Sequence, residues 1–553
     1  MGIFGRNPTS VQDEARRLAR KEMDSMQASQ PKTRTNVGSE TRHRGASRML
    51  RSMISWLPGL GSPRQDTPTG ERETLISRSR DAYRNHMLGR AAITRAATNV
   101  VGMGLTVRSN VDGAALGLDD EQTSALNDQI GRLFRLWAES PAECDAEATL
   151  DFYMMQRLAF VSALVSGDVF GFTPWERRTG GIFGTKLQLL EAERVGNPLG
   201  YRDNPREVDG VRIDKLGRPL AIRVCEGYPS DPQTRQGWSW VPVFGEATGR
   251  RRILHLLNDK DRPGATRGVP YLAPILEPLQ KLERFSQAEL TAAVISAMFT
   301  VAIKHESSDD DPGLGGSTLW DEQSDDPGKP ERQVVQSDRE HSTDGDNLTL
   351  GEGAVWDLVD GAEPVTINPA RPNAQFDPFF VAIVKEIGAA LEQPAEVMLM
   401  HFSTSYTAAR AAFNQLWKFI KQRRHALTVQ WCQPIYELIL DEMVASGQLD
   451  APGYSDPATR RAYARAIWIG EPLGSLNEQV DARAATERIA NGTSNEHIET
   501  MALHGEDWHD VAQDRAREIR WKVDNGVPIY IGGNVQPPRD DPDPDDGNRK
   551  DDT

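Results

Sequence analysis

Cysteine is scarce in this chain: there are three in 553 residues, Cys144, Cys225 and Cys432, far apart and without a CxxC pair. An odd count at those spacings excludes a disulfide framework and a zinc site, and fits synthesis in a reducing cytoplasm. Long apolar runs are missing too. The longest, 290–303, has 14 residues, where a membrane-spanning helix needs about 20, so it reads as a buried helix segment of a soluble protein. The polar, charged N-terminus excludes a secretory signal.

Catalytic signatures are equally thin. Residues 180–186 come nearest to a phosphate-binding loop, but Thr185 follows Gly184 where lysine is needed, and no Ser or Thr follows Lys186. No GxSxG elbow, HExxH helix or GxGxxG fingerprint occurs. His504-Gly505-Glu506 opens like a deaminase signature but lacks the PCxxC that must follow. The group His504, Glu506, Asp507, His509 and Asp510 reads as a solvated loop and helix start, with Asp507 capping, rather than a metal site. The acidic clusters at 309–311 and 540–546 lack the alternating spacing of a calcium loop. The expectation is a protein that is not an enzyme, with no catalytic residue, metal or cofactor.

Basic charge is also in deficit, with 64 Lys and Arg against 80 Asp and Glu, a net of −16. A protein that grips nucleic acid by its phosphates carries the opposite balance. What remains is a chain with 38% hydrophobic residues, enough for real cores. Its ends differ in charge. Residues 1–64 hold 12 Lys/Arg against 5 Asp/Glu and read as a flexible basic arm, assigned to 1–70, with one short helix at 11–26. That arm is either a solvated tail or a contact for DNA or a capsid partner. A disordered acidic tail is assigned to 531–553, rich in Asp and Pro after Pro537.

Between the ends the patterns alternate. Helices are expected at 80–101, stopped by Gly102 and Gly104, then at 120–139 and 151–166, stopped by Gly167. A strand lies at 105–107. Residues 168–258 form a β-rich section with turns at Asp209-Gly210 and Leu216-Gly217. A long helix runs to about Lys304, settling after Pro278. Residues 305–363 carry 17 Asp/Glu against 3 Lys/Arg, a net of −14, with strands near 348–359. Helices resume at 377–391 and at 406–446, the latter kinked at Pro434 and capped by Gly447. Residues 456–525 alternate short helices with stops at Gly470, Gly492 and Gly505.

Several short motifs in this order resemble the lambda-type portal proteins of tailed bacteriophages. They are Arg78-Ser79-Arg80-Asp81 with Asn85; Asn99 through Gly104; Leu187-Gln188-Leu189-Leu190-Glu191 with Arg194-Val195; and Ile253-Leu254-His255. Arg262-Pro263-Gly264 with Arg267-Gly268-Val269-Pro270 follows, then Tyr406 with Ala409-Arg410-Ala411-Ala412, and Trp468-Ile469-Gly470. Each is weak alone, but seven in order over about 72–530 are hard to obtain by chance. Two positions depart from the family pattern: Ala265 stands where Gln is common and Ser405 where Asn is common.

The resemblance implies an α+β, mainly helical portal-protein fold: a wing at 71–269, a first stem helix at 270–304 and an acidic clip at 305–376. A second stem helix at 377–395, a tunnel loop at 396–406, a long wing helix at 407–455 and a helical crown at 456–530 complete it. It implies a homo-oligomeric ring, a dodecamer in the virion, conducting double-stranded DNA at one capsid vertex. Implied partners are the terminase large subunit, a head-completion or adaptor protein, and major capsid and scaffold proteins. The alternatives are a packaging ATPase or nuclease and another minor capsid or connector protein.

Residue assignments follow the same map. His401, Phe402, Ser403, Thr404, Ser405 and Tyr406 fall in the tunnel loop, where small hydroxyls and two aromatics without a carboxylate suit weak contacts with a sliding duplex. Tyr406 alternatively packs at the helix start. Asp357, Asp360 and Glu363 fall in the clip as docking residues for terminase or connector. Arg410 faces either DNA or a neighbouring subunit; the neighbour is favoured, because a ring of such arginines would brake the duplex. The acidity itself either keeps DNA off a bore or keeps the free subunit soluble.

Overall fold

The computed structural model describes residues 51, 55, 61–231, 237–298, 302–305, 362–365, 376–402, 405–472, 474, 477–503, 505, 508–531 and 534–536. The helix expected at 11–26, the strands near 348–359 and the acidic tail beyond residue 536 lie outside them; the start of the tail assigned to 531–553 is not disordered, since Asn534–Gln536 is a strand paired antiparallel with Ile529–Ile531. The chain divides into two compact units, Met1–Pro68 and Thr69–Thr553. The first holds the short helix Pro63–Asp66. Every element from Thr69 onward lies in the second.

Two helices open it, α1 (Thr69–Asn85) and α2 (Met87–Val100). The sequence pattern predicts one helix over 80–101; the structure breaks it at His86, whose backbone is extended. The imidazole explains the break. Its Nδ1 accepts from the Gly89 N–H at 3.4 Å, capping α2, while Nε2 lies 3.0 Å from the Leu279 carbonyl. Helix α2 ends on schedule, with Gly102 and Gly104 at φ +60° and +123°. Strand β1 (Thr106–Ser109) follows, then α3 (Asp120–Ala138) and α4 (Phe152–Ser166). Asp119 and Gln122 close a capping box on α3, and Asp151 caps α4.

The β-rich section forms two antiparallel sheets. One is ordered β3–β2–β8, with β2 Asp168–Phe172, β3 Gln188–Glu191 and β8 Ile253–Leu257. The other is β4–β5–β6–β7, with β4 Glu207–Val208, β5 Val211–Ile213, β6 Pro219–Cys225 and β7 Trp238–Pro242. The turn Asp209-Gly210 carries positive φ at both residues, +45° and +77°, as the twist of a two-residue hairpin demands. Phe170, Val195, Val211, Ile222 and Ile253 share a small core here.

A 3₁₀ turn, Ala273–Ile275, leads into α5 (Leu276–Met298). Pro278 sits inside its first turn, where the missing N–H has no intrahelical partner to lose. The helix expected to reach Lys304 stops sooner. Ala302–His305 is strand β9, paired antiparallel with β10 (Ala362–Val365). The apolar run 290–303 misleads because apolar content alone does not separate a helix from a strand; Val301 and Ile303 are β-branched at alternate positions. Helix α6 (Phe376–Ala390) returns beside α5, with the Phe285 ring 5.6 Å from Phe376 and 4.9 Å from Phe379.

Residues expected to be loop contain the short helix α7 (Ala395–Leu399), closed by Met400 in the left-handed region. The very long helix expected at 406–446 is three pieces: α8 (Tyr406–Leu427), a π-helical turn at Thr428–Cys432, and α9 (Gln433–Ala445). The wide turn, not a simple kink, accommodates Pro434: the Gln433 N–H reaches back five residues to the Thr428 carbonyl. Gly447, at φ +73°, ends α9 as expected. Ala466–Ile469, expected among short helices, is strand β11 and pairs with β1, Thr106 opposite Ile469. Gly470 is therefore no helix stop; a Cβ there would meet Leu105 and Arg424 at 2.7 Å. Helices α10 (Glu478–Ala490), α11 (Glu496–Leu503) and α12 (Trp508–Asp524) follow, with Gly492 and Gly505 in the left-handed region where stops were expected.

One large core binds α2, α3, α4, α8 and α9. Its centre is aromatic: Phe134, Trp137, Phe152, Tyr436 and Trp468 meet edge-on or tilted at 5.2–6.4 Å. Truncating one such buried ring to alanine costs about 3–5 kcal/mol. All three cysteines are buried and free.

Candidate functional site

Three places bear on function: the loop before α8, the stem with its insert, and a buried charge network that ties the two sheets and α1 to the segment just before the stem.

At the loop, the Ser405 hydroxyl accepts from the Ala408 N–H at 3.4 Å and caps α8. Asn would serve equally, which accounts for Ser standing where the family often has Asn. His401 is exposed, its N–H held by the Glu396 carbonyl at 3.1 Å. Phe402 is half exposed and stacks on Phe413 at 5.8 Å, which fixes one ring of the loop to the helix after it. Ser403 and Thr404 lie outside the described residues, and Tyr406 is described only as the first residue of α8. Arg410 sits one turn on, half exposed, 3.8 Å from the Asp481 carboxylate of its own chain.

At the stem, α5 and α6 bury one side, through Leu279, Leu282, Val384 and Ile387. Further along α5, the face that buries Leu279 and Leu282 loses its cover, with Leu290 67% and Val294 51% exposed, and Phe379 of α6 is 48% exposed. The β9–β10 ladder places Lys304 opposite Glu363 in register at the root of the insert. Asp357 and Asp360 lie outside the described residues.

The network was not anticipated from sequence. Asp168, fully buried at the start of β2, receives the Arg267 Nε and Nη2 hydrogens at 2.7 and 3.0 Å. Arg267 also donates to the carbonyls of Ala192, Val195 and Asp209 at 2.8–3.0 Å, so all five of its N–H groups are used. His255 Nε2 approaches Asp168 at 3.1 Å, and the Gly268 N–H donates to the same carboxylate at 3.1 Å. Arg72 of α1 pairs with Asp209. Burial alone would raise the Asp168 pKa; Arg267 and the His255 hydrogen bond reverse that and hold it well below the usual carboxylate range. The readable signal was an aspartate opening an apolar strand, Asp168 before Val169-Phe170, which demands a buried cation somewhere.

The backbone closes round this pair. Gly167, at φ +91°, lies so near Gly268 that a Cβ on Gly268 would come within 1.9 Å of the Gly167 carbonyl oxygen. The loop nearest to a phosphate-binding sequence is spoken for structurally. The Lys186 ammonium, fully buried, donates to the Glu143 and Phe183 carbonyls at 2.8 and 2.9 Å. Among the described residues no group of three or more His, Cys, Asp or Glu side chains is placed to hold a metal ion.

What these parts define is an α+β, mainly helical subunit in which two neighbouring helices are interrupted by an acidic insert. The chain belongs to the lambda family of phage portal proteins, whose family pattern matches residues 50–424. It is 23% identical over 462 residues to portal protein B of Escherichia phage lambda, covering 80% of this chain and 82% of that protein. It is also 23% identical over 466 residues to the portal protein of Escherichia phage N15, covering 80% and 83%. Among solved structures, the neck of the native gene transfer agent (GTA) particle is similar at 12% identity and a TM-score of 0.41, over 77% of this chain and 92% of that one.

Proposed function

We propose that this portal protein closes into a ring, twelve-fold in the virion, whose bore conducts double-stranded DNA into and out of the capsid at one vertex. It acts without catalysis, and the work of translocation comes from a separate terminase motor. The observation that carries the reading is the uncovered far stretch of the stem's apolar face: Leu290, Val294 and Phe379 are large side chains left to solvent on two helices of one subunit. A neighbour supplies the cover they lack, and repeated head-to-tail contacts of that kind close into a ring. Mass measurement of the purified assembly, with images showing a disc and a central hole, tests this; a stable monomer at micromolar concentration overturns it. Leu290→Asp with Val294→Asp is expected to give folded monomers, read by the same mass measurement.

In this reading 71–269 is the wing, 270–304 and 377–395 the stem, 305–376 the clip, 396–406 the tunnel loop, 407–455 the long wing helix and 456–530 the crown. Arg410 lies near a subunit boundary. The clip, with its net of −14 over 305–363, steers the terminase large subunit and later a head-completion protein by charge. Major capsid and scaffold proteins meet the outside of the ring, which is made in the host cytoplasm and ends in the virion.

Reversing Asp357, Asp360 and Glu363 to Lys should weaken terminase binding in a salt-sensitive way while rings still form. Glu363→Lys also places like charges opposite each other in the β9–β10 ladder. The Asp357→Lys, Asp360→Lys pair is therefore the cleaner reading of the docking charge, and unchanged binding in that pair excludes it.

A further inference from the structure

Residues 397–436 contain no Asp or Glu, although the chain as a whole has 80. The same forty residues hold five Lys and Arg: Arg410, Lys418, Lys421, Arg423 and Arg424. Most of this acid-free stretch is helix α8, and the structure divides its cations into two sets.

The inward set is structural. Arg424 donates to the carbonyls of Val100 and Asn99 at 2.8 and 3.1 Å, tying α8 to α2. Arg423 bonds the Asn258 carbonyl and amide oxygen and lies 3.5 Å from Asp259. The outward set forms a stripe. Arg410, Asn414, Lys418, Lys421 and His425 recur at four- and three-residue steps, and all five are exposed. At about 100° per residue they fall within an arc of about 80°, over a length of about 22 Å. Among the described residues neither Lys418 nor Lys421 has a carboxylate within ion-pair distance. Arg410, at the end nearest the loop, shares Asp481 and belongs to the subunit boundary rather than to the phosphate contact.

We infer that this outer face of α8 is a contact surface for the phosphate backbone of duplex DNA, separate from the channel loop. Its composition favours a polyanion over a folded protein. The centre of a protein interface needs apolar or aromatic anchors, and the stripe has none. Trp417, the aromatic beside it, is already covered, with the Lys421 ammonium 5.5 Å and the Arg424 guanidinium 5.2 Å from its ring centre. Spaced cations with an interleaved amide and no carboxylate give phosphate contacts that carry no sequence preference. In a ring the stripe recurs once per subunit. The inference rests on the reading of the chain as a ring that handles DNA.

The test uses the full chain and a short fluorescent duplex, with binding followed by anisotropy across a salt series and assembly mass recorded on the same samples. Lys418→Gln with Lys421→Gln should leave ring mass unchanged. It should weaken binding by about tenfold or more at 0.1 M salt, with a log–log salt slope shallower by about one unit for each lysine that engages a phosphate. Lys215→Gln with Arg218→Gln, on the exposed turn at Leu216-Gly217, controls for net charge and should change little. Unchanged affinity and slope in the α8 variant overturns the inference, as does an equal loss in the turn variant. Loss of ring mass with DNA binding intact also overturns it and assigns the stripe to a neighbouring subunit. Failure of the wild-type chain to form rings, with the slope difference retained, overturns the ring reading while leaving the phosphate surface standing.

Discussion

Arg267→Met is expected to destabilise the folded subunit by about 3–5 kcal/mol, because it leaves the Asp168 carboxylate buried without its cation. Methionine fills much of the space but replaces none of the five hydrogen bonds, and the Ala192, Val195 and Asp209 carbonyls lose their donor as well. Asp168→Asn should fall in the same range, since it strands the Arg267 charge instead. Chemical denaturation of a monomeric background reads the difference; a loss under about 1 kcal/mol in both variants would show that the network relaxes easily and is not what holds the two sheets together. The pH dependence follows with a definite sign. The folded-state pKa of Asp168 is depressed, so its contribution is fully present above the unfolded value of about 3.9. It is lost as pH falls below that value towards the folded one. Wild type should therefore lose stability on acidification through that window more steeply than Asp168→Asn.

Phe402→Asp with Ser403→Asp is expected to leave ring mass unchanged and to cut the yield of DNA-filled particles by about tenfold or more, the scale on which misplaced like charge slows a charged ligand. The substitutions put two carboxylates per subunit into a stretch that otherwise has none between 397 and 436. Because Phe402 also stacks on Phe413, Phe402→Ala is the control that removes the ring without adding charge. If the alanine variant packages as poorly as the double aspartate, packing rather than repulsion is the cause. Normal packaging and retention in the aspartate variant places the constriction elsewhere along the channel.

Legibility followed the range of each signal. Local chemistry was read well: Gly102, Gly167 and Gly447 end their helices, and Asp209-Gly210 makes the hairpin its dipeptide announces. Errors arose where a distant residue decides. His86 breaks a helix of good periodicity because the Leu279 carbonyl, 193 positions away, takes its second ring nitrogen. The strand at Ala466–Ile469 exists because β1 supplies its partner; Ile467, Trp468 and Ile469 favour a strand, but four residues are too short a run to decide it locally. Arg267 stood inside a motif read as a family signature, yet its purpose required Asp168, 99 positions earlier. At the loop, the absence of carboxylates was visible in the sequence, whereas the stack that anchors Phe402 was not.

His305 and Ala362 are ladder partners, so the 56 residues numbered 306–361 depart from and return to adjacent points. The stem therefore senses only the junction and not the span it carries. Loop closure grows slowly with length, about 0.6 kcal/mol for each doubling, a small sum against a core of this size. Such a root is a graft point: segments of quite different length can be exchanged between 305 and 362 without redesign of the two helices below, while the wing, held by its own buried ion pairs, stays as it is.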